Sequence, residues 1–304
     1  MINYLNRNEI DENKWNACVQ HAGCKLPYAF TWYLDCVSDQ WDALVYNDYD
    51  AVFPLTWRNR FFIPYLYQPM FTQQLGVFSP SALDENVLKL LLDAIPLRFR
   101  FIEINLNYLN RVKHAGFEIS PRINLFLDLS ADYDQLYHNY HENAKRNLHK
   151  AVKRQLHIRS DFSPGIITEF FKSHTGIKIP EIGEYHYEHL HELMEEALQR
   201  NAGKVHGVFD ERDNLFAAGF FIVTDSRIIN LLPSIDEEGK EIGAGFYLVD
   251  YLVRHYAGSG RVLDFEGSMI PTIARFYKSF GAQEQTYWHL RRNDLPRLIR
   301  WIKG

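Results

Sequence analysis

Lys240-Glu241-Ile242-Gly243-Ala244-Gly245-Phe246 stands between a β-rich segment, Arg227 to Pro233, and a segment from about Ala244 to Tyr256 whose apolar residues recur at helical period. Two glycines at such a junction let the backbone approach a ligand closely. The free amides that open a helix, reinforced by its dipole, favour an anion such as a pyrophosphate. Upstream, Lys204 to Phe209 and Leu215 to Val223 read as the arms of an antiparallel hairpin around the polar turn Asp210 to Asn214. Downstream come a strand, Arg261 to Glu266, a short helix closed by glycine, Ile273 to Gly281, and a final strand, Gln285 to Arg291.

The first half repeats this order at near-equal spacing. Asp42 to Tyr46 leads through Asn47-Asp48-Tyr49-Asp50 into Ala51 to Trp57 and a further strand near Phe61 to Pro69. There follow a glycine turn, Gln73 to Phe78, a helix from about Leu83 to Ile95, and a strand, Phe101 to Leu106. A short helix, Leu109 to Gly116, and a last strand, Ile123 to Leu129, complete the half. The repetition predicts two tandem α/β units, 1–130 and 131–304. A length of 304 residues suits two cores of ordinary size.

Composition narrows the class. At 46% hydrophobic and 23% charged the chain has enough apolar residues to bury a core, so disorder is excluded. The longest apolar run, Leu215 to Val223, is less than half of the ~20 residues a membrane helix needs, which predicts no membrane insertion. The start, Met1-Ile2-Asn3-Tyr4, lacks a cationic-then-apolar export signal, so a cytoplasmic location is expected. Cys18, Cys24 and Cys36 are too few for a disulfide framework and lack the CxxC spacing of structural zinc. A net charge of −5 speaks against indiscriminate nucleic-acid binding and leaves local basic patches open.

Three further segments carry chemistry. Asp264 and Glu266 end an apolar strand, where alternation would set both on one face at the sheet edge and offer a general base. The bland alternative is that one caps the following turn while the other pairs with Arg261 or Arg275. Lys145, Arg146, Lys150, Lys153 and Arg154 form a cationic helix face in which Arg146 and Lys150 are candidates to meet phosphates, or simply a wet surface. His186, His189 and His191 crowd a helix start, but only the first two share a face and no second ligand cluster has a defined spacing; no metal is expected.

A glycine turn before a helix, then a strand, then the helix Ala274-Arg275-Phe276-Tyr277-Lys278-Ser279-Phe280-Gly281 resembles the GNAT acyltransferase superfamily. The resemblance implies mostly antiparallel twisted sheets flanked by helices, with the turn holding the pyrophosphate of an acyl-CoA or acetyl-CoA donor. Lys240, Ile242, Gly243, Ala244 and Gly245 fall on that turn, with Lys240 where Gln or Arg is usual. Tyr277 falls on the tyrosine that protonates the leaving thiolate, and Glu266 or Asp264 would then take the proton of an amine acceptor, a small molecule or peptide-like group.

Two such units around a basic helix, Arg146 to Ala151, also resemble the FemABX-like branch, whose members move amino acids from aminoacyl-tRNA onto peptidoglycan precursors. This chain lacks the long charged coiled-coil insertion that several of them carry, which makes tRNA the less favoured donor. A third reading is a duplicated fold that has lost catalysis and binds a ligand or protein. Aligning the two halves sets Phe78 opposite Gly245, Ile104 and Leu106 opposite Asp264 and Glu266, and Val112 opposite Tyr277. At these positions the first unit has no hydroxyl for the leaving group and a bulky Phe78 where a close approach needs glycine, so it is expected to be non-catalytic.

Overall fold

A computed structural model describes residues 1–267 and 269–296. In chain order the elements begin with β1 (Ile2–Asn6), α1 (Glu12–His21), α2 (Thr31–Val37), β2 (Trp41–Tyr46), β3 (Ala51–Arg60), β4 (Ile63–Tyr67), α3 (Glu85–Asp93) and β5 (Phe101–Leu106). They continue with β6 (Glu118–Asp128), α4 (Tyr133–His138), α5 (Glu142–Lys153), β7 (His157–Arg159), α6 (Pro164–His174), α7 (Glu184–Gln199), β8 (Gly203–Phe209) and β9 (Leu215–Val223). The last are β10 (Arg227–Ile235), α8 (Glu237–Ile242), α9 (Ala244–Tyr256), β11 (Val262–Asp264), α10 (Pro271–Lys278) and β12 (Gln283–Asn293). No helix among the described residues is long and apolar enough to cross a membrane. No disulfide joins the three cysteines.

Two compact units result, one of residues 1–122 with the chain from Thr286, the other Ile123–Gln285. The boundary therefore differs from a single cut after residue 130. Ile123–Asp128 lies in the second unit, where β6 pairs with β11, and β12 lies beside β5 in the first. Side-chain alternation explains the assignment. Leu125, Leu127 and Leu129 enter the second unit's core, whereas Leu290 enters the first unit's. A period of two marks one face of a strand as apolar but not the sheet it joins.

In the first unit the strands run in the order β1-β2-β3-β4-β5-β12, antiparallel except for the β4–β5 pair. Phe78, Ile104, Leu106 and Val112 are all buried. The segment Leu109 to Gly116, expected as a helix, is irregular. Asn107 donates to the Leu75 and Val77 carbonyls, and Asn110 Oδ1 accepts from Val77 N–H at 2.6 Å, so side-chain bonds to a distant segment of the chain hold it in place of helical ones.

The second unit orders its strands β6-β11-β10-β9-β8-β7, with only β10 and β11 parallel. Its core joins the sheet to α5, α9 and α10 through Leu148, Leu248, Leu252, Tyr277 and Phe280. The other face meets α6. Ser234 Oγ lies 3.0 Å from Thr175 Oγ1 at the end of α6, while the next residue, Ile235, points the opposite way and packs with α9.

Candidate active site

Asn230 interrupts the apolar run Ile228-Ile229-Asn230-Leu231-Leu232, and the pairing of β10 with β9 slips at that point. Asn230 stands opposite Phe221 and Leu232 opposite Phe220, the signature of a bulge. On the other side β10 pairs with β11 only over Arg227–Ile229. Beyond the bulge β10 continues to Ile235 after β11 has ended, and the two chains part. A cavity of about 740 Å³ borders the parted segments, lined by Leu231, Pro233 and Ile235 of β10 and by Phe265, Glu266 and Gly267 after β11. That is room for a whole organic substrate.

β11 ends early because of its own side chains. Asp264 is fully buried and pairs with Arg227 Nη1 at 2.5 Å. Its Oδ1 accepts from Asn124 Nδ2 at 3.0 Å and from the Glu266 backbone N–H at 2.9 Å. One carboxylate thus makes both the ion pair and the turn cap, and its partner is Arg227 rather than Arg261 or Arg275. Glu266 and Gly267 are both left-handed, with φ of 54° and 62°. At Gly267 a Cβ would stand 2.3 Å from the Ile123 carbonyl oxygen, so only glycine fits. The strand therefore does not reach Glu266, and strand alternation does not put the two acids on one face. Glu266 borders the cavity and Asp264 is locked beneath it.

Tyr277 also lines the cavity. It lies on α10, begun by Pro271 at the first helical turn, and is buried with its ring stacked on Phe265 at 4.2 Å between centroids. Its hydroxyl accepts from Asn230 Nδ2 at 3.2 Å. Burial, and then the charge of Glu266, push the phenol well above its ordinary pKa, against a smaller opposing effect of Asn230. The phenol therefore keeps its proton at neutral pH. Asn230 itself is buried, and its Oδ1 has no partner among the described residues. A lone polar residue inside an apolar strand is a signal for this position that the sequence contains.

The glycine segment is folded differently from an open turn. Asp236 caps α8 by accepting from Gly239 N–H at 2.6 Å, so Lys240 and Ile242 are helical. Gly243, with φ of 85°, separates α8 from α9, and a Cβ there would stand 2.5 Å from the Asn147 carbonyl oxygen of α5. Ile242, Gly243 and Ala244 do not border the cavity; Ile242 and Ala244 are core residues. Gly239, Lys240 and Gly245 do border it, together with His174, Thr175 and Lys178 from the end of α6 and beyond. Ser163 as cap and Pro164 at the first position mark α6 in the sequence. Lys178 and Lys240 both reach Glu237, at 3.4 and 2.6 Å.

Arg146 and Lys150 lie exposed on α5, and neither lines the cavity. Arg146 donates to Asn143 Oδ1 at 3.0 Å. Of the three histidines of α7, His186 accepts from Gly183 N–H, His189 contacts the Tyr185 hydroxyl and His191 contacts Glu195. Among the described residues no three His, Cys, Asp or Glu side chains converge as metal ligands.

Residues 134–279 match the profile of the acetyltransferase (GNAT) domain family. No curated protein matches the sequence. Solved structures with the same fold include FemX, 12% identical, with a TM-score of 0.69 over 97% of this chain and 99% of that one. A conserved protein of unknown function from Bacteroides thetaiotaomicron VPI-5482 is 11% identical, with a TM-score of 0.61 over 96% of this chain and 100% of the other. L-PGS from Bacillus licheniformis is 10% identical, with a TM-score of 0.54 over 96% and 95%. Residues 134–279 thus carry a GNAT domain that spans the cavity and its phenol, and the chain along its length has the fold of FemX.

Proposed function

We propose that the second unit transfers an acyl group from acyl-CoA to an amine, in the cytoplasm. The observation that carries this reading is the protonated Tyr277 phenol on the wall of a cavity opened by the parting of β10 and β11. The amine nitrogen attacks the thioester carbonyl carbon, the C–N bond forms and the C–S bond breaks. Glu266 takes the amine proton, directly or through one water, and Tyr277 O–H meets the departing sulfur. The two roles are coupled. Once Glu266 is protonated, burial still holds the phenol's pKa up but the added push of the carboxylate charge is gone, and the phenol becomes the better acid when the thiolate needs a proton. Asn230 keeps the hydroxyl in place. Lys240 and Lys178, with the amides near Gly245, suit the donor's phosphates. The first unit, whose equivalent positions are filled by Phe78, Ile104, Leu106 and Val112, is assigned no catalytic role.

The test is binding followed by turnover. CoA should raise the melting temperature of the protein and not that of Gly245→Glu, and acyl transfer to an amine panel should fall at least about a hundredfold in Tyr277→Phe. Absence of both effects overturns the reading.

A second reading, aminoacyl-tRNA as donor, is favoured by the exposed cations Arg146, Lys150 and Lys153 on α5 and Arg154 at its end. It requires binding of aminoacyl-tRNA that weakens steeply with salt and with charge reversal at Arg146 and Lys150.

A further inference from the structure

The cavity is wider than a donor's polar arm needs. An arm lying in the gap is bordered by β10, by Phe265 to Gly267 and by the start of α9, where Lys178, Lys240, Thr175 and Ser234 supply polar contacts. The lining nevertheless extends one strand further, to Ala217, Ala218 and Phe221 of β9, and along α9 to Leu248, Val249 and Leu252. All six of these residues are buried and apolar.

On the face of β9 that meets α9, Ala217 leaves space beside Phe221, opposite Leu248, Val249 and Leu252, while Ala218 borders the cavity from the other face. Close-packed interiors normally close such gaps with larger residues, and an apolar void excludes water, so it weakens the fold unless an apolar group occupies it. The mouth is apolar too. Ile270 and Ile273 border the cavity while 56% and 40% exposed, and Met269 and Ile177, each adjoining a lining residue, are 59% and 73% exposed. Isolated exposed aliphatic residues are ordinary, but several around one opening mark contact with an apolar partner.

We infer that this branch of the cavity receives a long, unbranched alkyl chain, so that the acyl group handled here is a fatty acyl group. The inference deepens the acyl-transfer reading and rests on it. The side chains of this branch offer an ammonium no acceptor; those that could, Asn230 and Glu266, stand at the reacting end of the cavity. A fatty acyl chain asks nothing of the wall but apolar area, and an amphiphile suits a mouth that sets exposed isoleucines beside Lys178 and Lys240. The reaction is the one above, with the chain carried unchanged from sulfur to nitrogen.

The test is calorimetric titration of the whole protein with CoA, acetyl-CoA, hexanoyl-CoA and lauroyl-CoA, and separately with laurate, all below their micelle concentrations. Each buried methylene strengthens binding about fourfold, so lauroyl-CoA should bind at least about a hundredfold more tightly than acetyl-CoA. Ala217→Phe should remove most of that gain while its affinity for CoA is kept. Val249→Phe serves the same purpose should the first variant fail to fold, as judged by its thermal melt. Equal affinity for acetyl-CoA and lauroyl-CoA overturns the inference and leaves acyl transfer standing. So does a chain-length gain that survives the filling variants, because the chain then sits elsewhere. Laurate binding that the filling variants abolish, with no binding of CoA, supports the apolar branch and overturns the thioester donor. No binding of laurate or lauroyl-CoA overturns the inference.

Discussion

Asn230 Nδ2 donates to the Tyr277 hydroxyl at 3.2 Å, tying a bulge in β10 to the phenol of α10. Asn230→Leu should leave the hydroxyl without its donor in an apolar wall and lower kcat about tenfold to a hundredfold, with KM for the donor little changed. Asn230→Asp should not rescue it, because a carboxylate cannot donate and raises the phenol's proton affinity further. Steady-state kinetics of the two variants separate positioning from packing.

Tyr277→Phe removes one neutral hydrogen bond from a ring that keeps its stack on Phe265. The expected loss of stability is about 1 kcal/mol, against a loss of turnover of at least about a hundredfold. Because burial and Glu266 push the phenol upward, the rate should show no basic limb from Tyr277 below pH ~10. A melt and a pH–rate profile check both.

Asp264 and Arg227 are a buried pair at 2.5 Å, so removing either partner strands a charge. Asp264→Ala should destabilise the protein by about 3–5 kcal/mol, whereas Asp264→Leu combined with Arg227→Met should recover much of the loss. Urea denaturation measures both. Recovery of folding in the double variant without recovery of a proton-transfer defect would reinstate Asp264 as a base.

The glycines at the α8–α9 junction should behave differently. Gly243→Ala forces a left-handed alanine against the Asn147 carbonyl and should destabilise by at least about 2 kcal/mol. Gly245→Ala crowds the side-chain end Ile235 Cδ1 at 3.0 Å and makes ordinary contact with the Phe276 ring at 3.7 Å, in a helical position that favours alanine by up to ~1 kcal/mol. Its stability should be nearly unchanged while donor affinity falls.

His206 is buried against Tyr251 and Phe221, with Ser160 Oγ 2.7 Å from Nδ1. Burial, then the charges of His255 and Lys204, lower its pKa to about 4. An unfolded histidine titrates near ~6.5, so between these values the unfolded chain binds more protons and stability rises with pH. The contribution, at most about 3 kcal/mol, is present above pH ~6.5 and lost as pH falls toward 4. Urea midpoints at pH 7.5 and 5 should differ less in His206→Gln than in the parent.

Much of the architecture was legible because it rests on local regularities. The limits of α9 and β5 follow from apolar periodicity and from what flanks it, and the order of hairpin, helix and strand in both halves follows from turn chemistry. The site was legible only in part. Tyr277, Glu266, Lys240 and Gly245 do meet at one cavity, while Gly243, Ile242 and Ala244 serve packing and Arg146 and Lys150 lie outside it. Asn230, Thr175 and Lys178 join from segments that no motif marks.

By itself the amino-acid order determined much of which segments are helix and which are strand, though not the irregular Leu109–Gly116 or the helical α8, together with the repetition of their succession and the presence of a phenol and acids near a glycine-bearing helix start. These depend on neighbours a few residues apart. Tertiary structure decided which sheet β6 and β12 each join, and that Asp264 is bound by Arg227 while Glu266 is turned to the cavity. Strand partners and ion pairs are chosen among groups distant in the chain by which arrangement buries apolar surface and satisfies buried charge, and no local pattern records that choice.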